Sequence, residues 1–165
     1  MKIMLNELEK AQGRKQHLEG SIDMDGIQIP DVSFDQFVFK GQAEKEADLV
    51  LVQGEISGVI KTKCSKCVAL AEYIFNTPFE EQFSEFPVEE ESEIHFFQGG
   101  KIELNPYFQQ TVLLEMPQTF TCKETCKGLC PTCGTNWNHE TCSCNNERID
   151  PRLADLALFF NKDDK

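Results

Sequence analysis

The sequence predicts an α+β fold: a mostly antiparallel sheet, two short helices and a small cysteine-rich lobe near the C-terminus. Three observations carry this. Apolar residues alternate with polar ones through several long stretches, the period of a half-buried strand. Two Asn/Asp-Pro pairs, Asn105-Pro106 and Asp150-Pro151, stand where helices open. Six of the eight cysteines fall within residues 122–144.

In chain order, residues 1–5 and 16–24 read as short strands around a polar, turn-rich segment from Asn6 to Lys15. Residues 32–39 alternate with Phe34, Phe37 and Phe39 and read as a strand, and 41–48 as a charged connection. Residues 49–63 give the strongest strand pattern, with Gly54 and Gly58 marking a bulge or a close approach. That strand delivers Cys64-Ser-Lys-Cys67 at its end. Residues 68–83 resume as a strand through Tyr73, Ile74 and Phe75, with Pro78 as a break or an edge position. Together they predict a hairpin tipped by a C-x-x-C knuckle.

Between 85 and 93, Glu85, Glu89, Glu90, Glu91 and Glu93 stand without a base and read as a solvated loop rather than a specific acidic docking site. Residues 94–97 and 101–104 flank Gly99-Gly100, a hairpin signal. Asn105 then caps a helix with Pro106 in its first turn, running to Met116 before Pro117. A second helix is predicted over 152–160, where Leu153, Leu156, Ala157 and Phe160 form an apolar stripe. The expected organisation is a β-rich core at 1–117, a cysteine-rich lobe at 118–146 and a C-terminal amphipathic helix at 147–165 that packs back on the core.

Composition narrows function. The chain has 165 residues and is 40% hydrophobic, enough for one core, and its 13 Phe against 2 Tyr and 1 Trp give that core few polar handles. No stretch reaches the roughly 20 apolar residues of a membrane span. Net charge is −12, with 28 acidic and 16 basic residues. A nucleic-acid binder needs clustered Lys and Arg, so any RNA contact must be local or made through a protein.

Cys130-Pro-Thr-Cys133-Gly134 is a zinc-knuckle spelling: two intervening residues let both sulfurs reach one ion, and Gly134 takes positive φ without a Cβ penalty. Cys142 and Cys144, two apart, can point to one side of an extended segment and complete a tetrahedron. Four thiolates leave no position for water, so Cys130, Cys133, Cys142 and Cys144 form a structural Zn²⁺ site. A disulfide cluster is the alternative in a secreted chain. The charged start Met1-Lys-Ile-Met-Leu-Asn-Glu carries no apolar leader, which leads us to expect a cytoplasmic protein with metal-bound thiols.

Cys64, Cys67, Cys122 and Cys126 remain, and could form a second site joining the hairpin tip to the lobe. The alternative, that one of these pairs holds no metal, stays open. Lys61, Lys63, Lys66, Lys123 and Lys127 flank these cysteines. They could offset thiolate charge and lower thiol pKa values, or form an RNA-facing patch; the sequence does not separate the two roles. His139 lies inside the metal loop where thiols already suffice, His17 and His95 carry weaker signals, and Trp137 is expected to pack over the first site and exclude water, the alternative being to stack on a base. No nucleophile triad, carboxylate pair or phosphate loop stands out, so no enzyme is expected and no small-molecule substrate.

The run C-x3-C-K-G-L-C-P-x-C-G-x-N-x-N at 122–138, with C-x-C at 142–144, I-D-P-R-L-A at 149–154 and the upstream C-x-x-C at 64–67, resembles the YceD family. These are the large ribosomal RNA subunit accumulation proteins of bacteria and plastids. The resemblance implies a ribosome-biogenesis role, supporting accumulation of large-subunit (23S) rRNA through its maturation or assembly. It brings no catalytic residue. Some members of the family lack the C-terminal cysteines, so zinc belongs to this version of it. The implied partner is a large-subunit rRNA precursor or a basic ribosomal protein, the latter suited to an acidic chain by charge complementarity. The competing class is a thiol redox or zinc-sensing protein working through exposed C-x-x-C pairs.

Overall fold

The computed structural model describes residues 1–87 and 92–145. The chain divides into two compact units, Met1–Cys122 and Lys123–Lys165. Among the described residues the first holds all the named elements: β1 (Lys2–Met4), α1 (Leu5–Lys10), β2 (Lys15–Ser21), β3 (Ser33–Glu46), β4 (Leu49–Lys63), β5 (Leu70–Ser84), β6 (Ile94–Phe96), β7 (Lys101–Glu103) and α2 (Asn105–Glu115). The fold is α+β, as its period-2 stretches predict.

Five strands lie in the order β2-β3-β4-β5-β6, and β1 pairs with β7 in a separate two-stranded sheet. The pairs β2–β3, β3–β4 and β4–β5 are antiparallel, and β5–β6 is parallel. Phenylalanines from the inner face make the core. Phe39 packs tilted against Phe108 of α2 and Phe79 meets it edge-on, with ring centroids 4.6 and 4.7 Å away, and all three are buried. Phe83 meets Tyr107 edge-on at 4.9 Å. Helix α2 closes the sheet with Phe108 and Val112, one turn apart on one face.

Several local expectations are corrected. Residues 41–48 are no connection: β3 runs on to Glu46, and Ala47-Asp48 alone makes the turn, with Ala47 at φ 50°. The charges hid a period-2 pattern in which Ala43 is fully buried while Glu44 pairs with Lys15 at 2.8 Å. The turn-rich reading of 6–15 gives way to α1 and a single 3-10 turn, Gln12–Arg14, because Leu5 and Leu8 fall three apart and both bury. Residues 94–104 are not a hairpin. Gly99 and Gly100 do turn, at φ 76° and 64°, but the flanking strands go to different sheets. Strand β7 is captured by β1, while β6 pairs along the far end of β5.

Asn105 is not a cap either. The helix starts at Asn105, and its amide instead grips the backbone of Asp23, accepting from the N–H at 3.0 Å and donating to the carbonyl at 2.9 Å. Pro78 does not break β5; it lies opposite Glu55 where β5 has no other neighbour among the described residues, the edge position a proline tolerates. Gly54 marks a close approach. It faces Gly41, and a Cβ on Gly54 would stand 2.4 Å from Lys40 O and 2.6 Å from Gly41 Cα. The predicted helix at 152–160 and Glu89, Glu90 and Glu91 lie outside the described residues.

Candidate metal centres

The second unit is organised by one turn. Gly134 N–H donates to Cys130 O at 2.9 Å, and Cys130 N–H donates to Thr135 O at 2.8 Å. Gly134 sits at φ 76°, as the spelling requires. The turn is stemmed by a single antiparallel bridge, Leu129 with Asn136, and Trp137 N–H donates to Gly128 O at 3.0 Å. Residues 142 and 144 then return to it. The sulfurs of Cys130, Cys133, Cys142 and Cys144 all lie within 4.8 Å of one another. A filled tetrahedral zinc–thiolate site has sulfurs about 3.8 Å apart, given Zn–S bonds of about 2.3 Å, so a small contraction suits the set to the ion.

The surroundings of these sulfurs fit anionic ligands. Trp137 Nε1–H donates to Cys142 Sγ at 3.3 Å, and the Thr135 hydroxyl lies 3.1 Å from Cys133 Sγ. That hydroxyl, with the Thr135 backbone, lowers the Cys133 thiol pKa. The neighbouring Cys133, with burial and Cys130, pushes the Cys144 thiol up to about 12. Four thiols this close cannot all ionise unless a cation joins them, and a metal that binds must expel protons. His139 stands outside the thiol set, its backbone N–H bonded to Asn136 O at 3.0 Å.

The first unit carries the same turn at the tip of the β4–β5 hairpin. Val68 N–H donates to Cys64 O at 2.9 Å, and Cys64 N–H donates to Ala69 O at 2.8 Å. Residue for residue this is the hydrogen-bond pattern of 130–135, with Val68 in the place of Gly134. Cys122 is brought beside it by residue 120: Ser65 N–H donates to Phe120 O at 2.8 Å, Phe120 N–H to Ser65 Oγ at 3.3 Å, and Tyr73 packs edge-on to Phe120. Cys67 Sγ and Cys122 Sγ are 3.6 Å apart. The backbone of Cys122 is the main influence that draws the Cys64 thiol down to about 6. Cys126, four residues beyond, is buried in the second unit and accepts from Asn138 Nδ2 at 3.4 Å.

Val68 holds φ 61°, a conformation that costs a side chain about 1–2 kcal/mol and is rarest for β-branched residues. Val68→Gly removes that cost against roughly 0.5–1 kcal/mol of extra chain entropy. The expected result is a protein unchanged or up to about 1 kcal/mol more stable by urea titration, whereas Gly134→Val loses about 1–2 kcal/mol. A loss of stability in Val68→Gly would contradict the strained turn.

The flanking lysines differ among themselves. Lys61 Nζ pairs with Asp35 and Lys63 Nζ with Asp31, each at 2.7 Å, and Asp35 raises the Lys61 pKa. Lys66 is exposed on the first knuckle; Lys123 and Lys127 are exposed in the second unit. Sequence reasoning missed Thr135 and Asn138 as sulfur partners. Their signal was weak: short polar side chains two and five positions past Cys133.

The YceD family model, described as "Large ribosomal RNA subunit accumulation protein YceD", matches residues 52–160, from β4 through both knuckles. The chain belongs to the YceD family. Among its relatives, YlbN of Bacillus subtilis (strain 168) is 28% identical over 129 residues, covering 76% of this chain and 75% of YlbN. The protein Rv2926c of Mycobacterium tuberculosis is 29% identical over 122 residues, 70% of this chain and 58% of its own length. The "Large ribosomal RNA subunit accumulation protein YCED homolog 1, chloroplastic" of Arabidopsis thaliana is 34% identical over 68 residues, 41% of this chain and 21% of its own. No solved structure matches the chain.

Proposed function

We propose that this YceD-family chain is a non-enzymatic, zinc-binding ribosome-biogenesis factor that supports accumulation of large-subunit rRNA. The observation that carries the zinc is the knuckle turn built twice, once with the expected glycine and once with a strained valine. The second case is informative because nothing in the local sequence favours a valine at positive φ. Cys130, Cys133, Cys142 and Cys144 would hold one Zn²⁺. Cys64, Cys67 and Cys122 would hold another, with Cys126 as the fourth ligand that the sequence spacing suggests; all are thiolates, ligands of one soft kind. A four-thiolate ion supplies folding energy and leaves no site for substrate water.

The role in rRNA accumulation comes from the family description and from the chloroplast relative's name. Its working partner is a large-subunit rRNA precursor or a basic ribosomal protein. Any phosphate contact would fall to Lys61, Lys63, Lys66, Lys123 and Lys127. Asp35 and Asp31 already answer two of these charges, which favours a protein partner. Among the described residues no helix is long and apolar enough to cross a membrane. From the ribosome-biogenesis role, the expected place of action is the cytoplasm.

The test has two readouts. Elemental analysis of untagged protein is expected to find about two zinc equivalents; less than half an equivalent beside eight titratable thiols would remove the zinc reading. Depleting the protein in its host is expected to lower large-subunit rRNA relative to small-subunit rRNA. An unchanged ratio would remove the functional one.

A further inference from the structure

Among the described residues the five-stranded sheet has a long unpaired edge. Strand β5 is bonded to β4 along its whole length, yet β6 covers only Gln82–Ser84 on the other side. The direction of the free groups can be read from two facts. Phe97 N–H donates to Ser84 O at 3.0 Å on the outer side, and proline, which has no N–H, occupies position 78. Backbone groups alternate along a strand, so those of Leu70, Glu72, Ile74 and Asn76 also aim away from β4.

The side chains of the same four residues are exposed, and two are large and apolar: Leu70 is 85% and Ile74 82% solvent-accessible. Natural sheets blunt such edges with proline, bulges or lysine. Pro78 blunts the half of the edge that follows it, and no such device protects the half from Leu70 to Asn76. Strand β5 carries Glu72, Glu80 and Glu81 and no Lys or Arg, and Glu85 and Glu93 follow it.

We propose that the edge of β5 at Leu70, Glu72, Ile74 and Asn76 takes an extended, basic segment of a partner protein as an added strand. Main-chain hydrogen bonds supply the binding, apolar side chains of the segment lie beside Leu70 and Ile74, and its Lys or Arg residues answer Glu72 and the acidic residues beyond. The charge decides against the other occupants. Lys61 and Lys63 of β4 stand opposite Glu72 and Leu70, but Asp35 and Asp31 already pair with them, so an RNA phosphate here would meet Glu72 without an unanswered cation from either; a second copy of this chain would bring another −12 to the edge. The proposal deepens the reading of a basic ribosomal-protein partner and rests on it for the partner's identity.

The probe is a fluorescein-labelled synthetic peptide of alternating Arg or Lys with Val or Ile, added to the zinc-loaded full chain at low and at moderate salt. Saturable binding is expected, with amide NMR shifts concentrated on residues 70–76 and an affinity that falls with salt. Ile74→Pro copies Pro78 four residues away: it removes an outward N–H without breaking the β4 ladder, so binding should drop by about tenfold or more. Glu72→Lys leaves the backbone intact and should weaken binding while flattening its salt dependence. It serves as the second variant should Ile74→Pro disturb the strand.

Absence of binding at low salt would overturn the proposal, as would shifts that map elsewhere or Glu72→Lys binding as tightly as wild type. Concentration-dependent self-association of the wild type through residues 70–76 would overturn it in favour of a second copy. None of these readouts uses rRNA. A failed edge alongside a normal depletion phenotype therefore leaves the proposed function standing.

Discussion

Cys133→Ser is expected to unfold the cysteine-rich lobe from Cys122 to Asn146 while leaving the sheet folded, the largest effect any single substitution should have on this chain. Within residues 123–145 the only ladder contact is the Leu129–Asn136 bridge, and the only buried residues are Cys126, Gly128 and Cys130. So small a segment has no apolar core to order it. A structural zinc contributes on the order of 10 kcal/mol of apparent binding free energy at neutral pH, far more than the bridge and the turn together. Losing one of four thiolates leaves an open, weaker site. Amide exchange at Cys130 and Gly134, slow in the wild type, should become fast, while Val52, Ile56 and Phe79 keep their protection. Zinc content should fall by about one equivalent.

Acidification should act in the same direction as Cys133→Ser. Metal-bound thiolates titrate below the free thiol, so their stabilisation is present at higher pH and is lost as pH falls and protons displace the ion. Unchanged exchange in Cys133→Ser would show that the unit is ordered without the metal.

The second large effect is expected in the sheet. Gly54→Ala places a methyl 2.4 Å from Lys40 O, 2.6 Å from Gly41 Cα and 2.8 Å from Phe39 Cε2. Two of these neighbours are backbone atoms of the paired strand, which cannot turn aside as a flexible side chain can. The third is a ring packed at 4.6 Å against Phe108. Relief requires parting β3 from β4 or moving Phe39 out of the core, at a cost of about 3 kcal/mol, the upper range for overpacking. The urea midpoint should fall accordingly, with zinc content unchanged. Gly134→Ala makes the useful contrast: nothing lies within 4 Å of its added carbon, and its φ of 76° costs only about 1–2 kcal/mol. A Gly54→Ala protein within 1 kcal/mol of wild type would mean the strands are free to part.

Legibility varied with how local the physics was. The 49–63 strand could be read because alternation and flanking signals lie within it, and it appears as β4. The charged stretch at 41–46 could not, because its pattern only makes sense once Glu44 meets Lys15 across the sheet. Gly99-Gly100 announces a turn, and a turn is found, but which strands its arms join depends on β1, almost a hundred residues earlier. Asn105 looks like a cap because its own neighbours invite it; the backbone of Asp23 competes for the same amide and takes it.

The sequence by itself determined the chemistry of this protein: eight thiols at chelating spacings, an acidic surface and a phenylalanine-rich core. Ligand spacing, charge and hydrophobic period are properties of neighbouring residues, so they survive without coordinates. Tertiary structure decided everything that depends on distant parts of the chain meeting. It set Cys122 beside the first knuckle through Ser65 and Phe120, and laid Gly54 against Gly41. It also left Leu70 and Ile74 on an open edge, since pairing, unlike spacing, is chosen by the whole sheet.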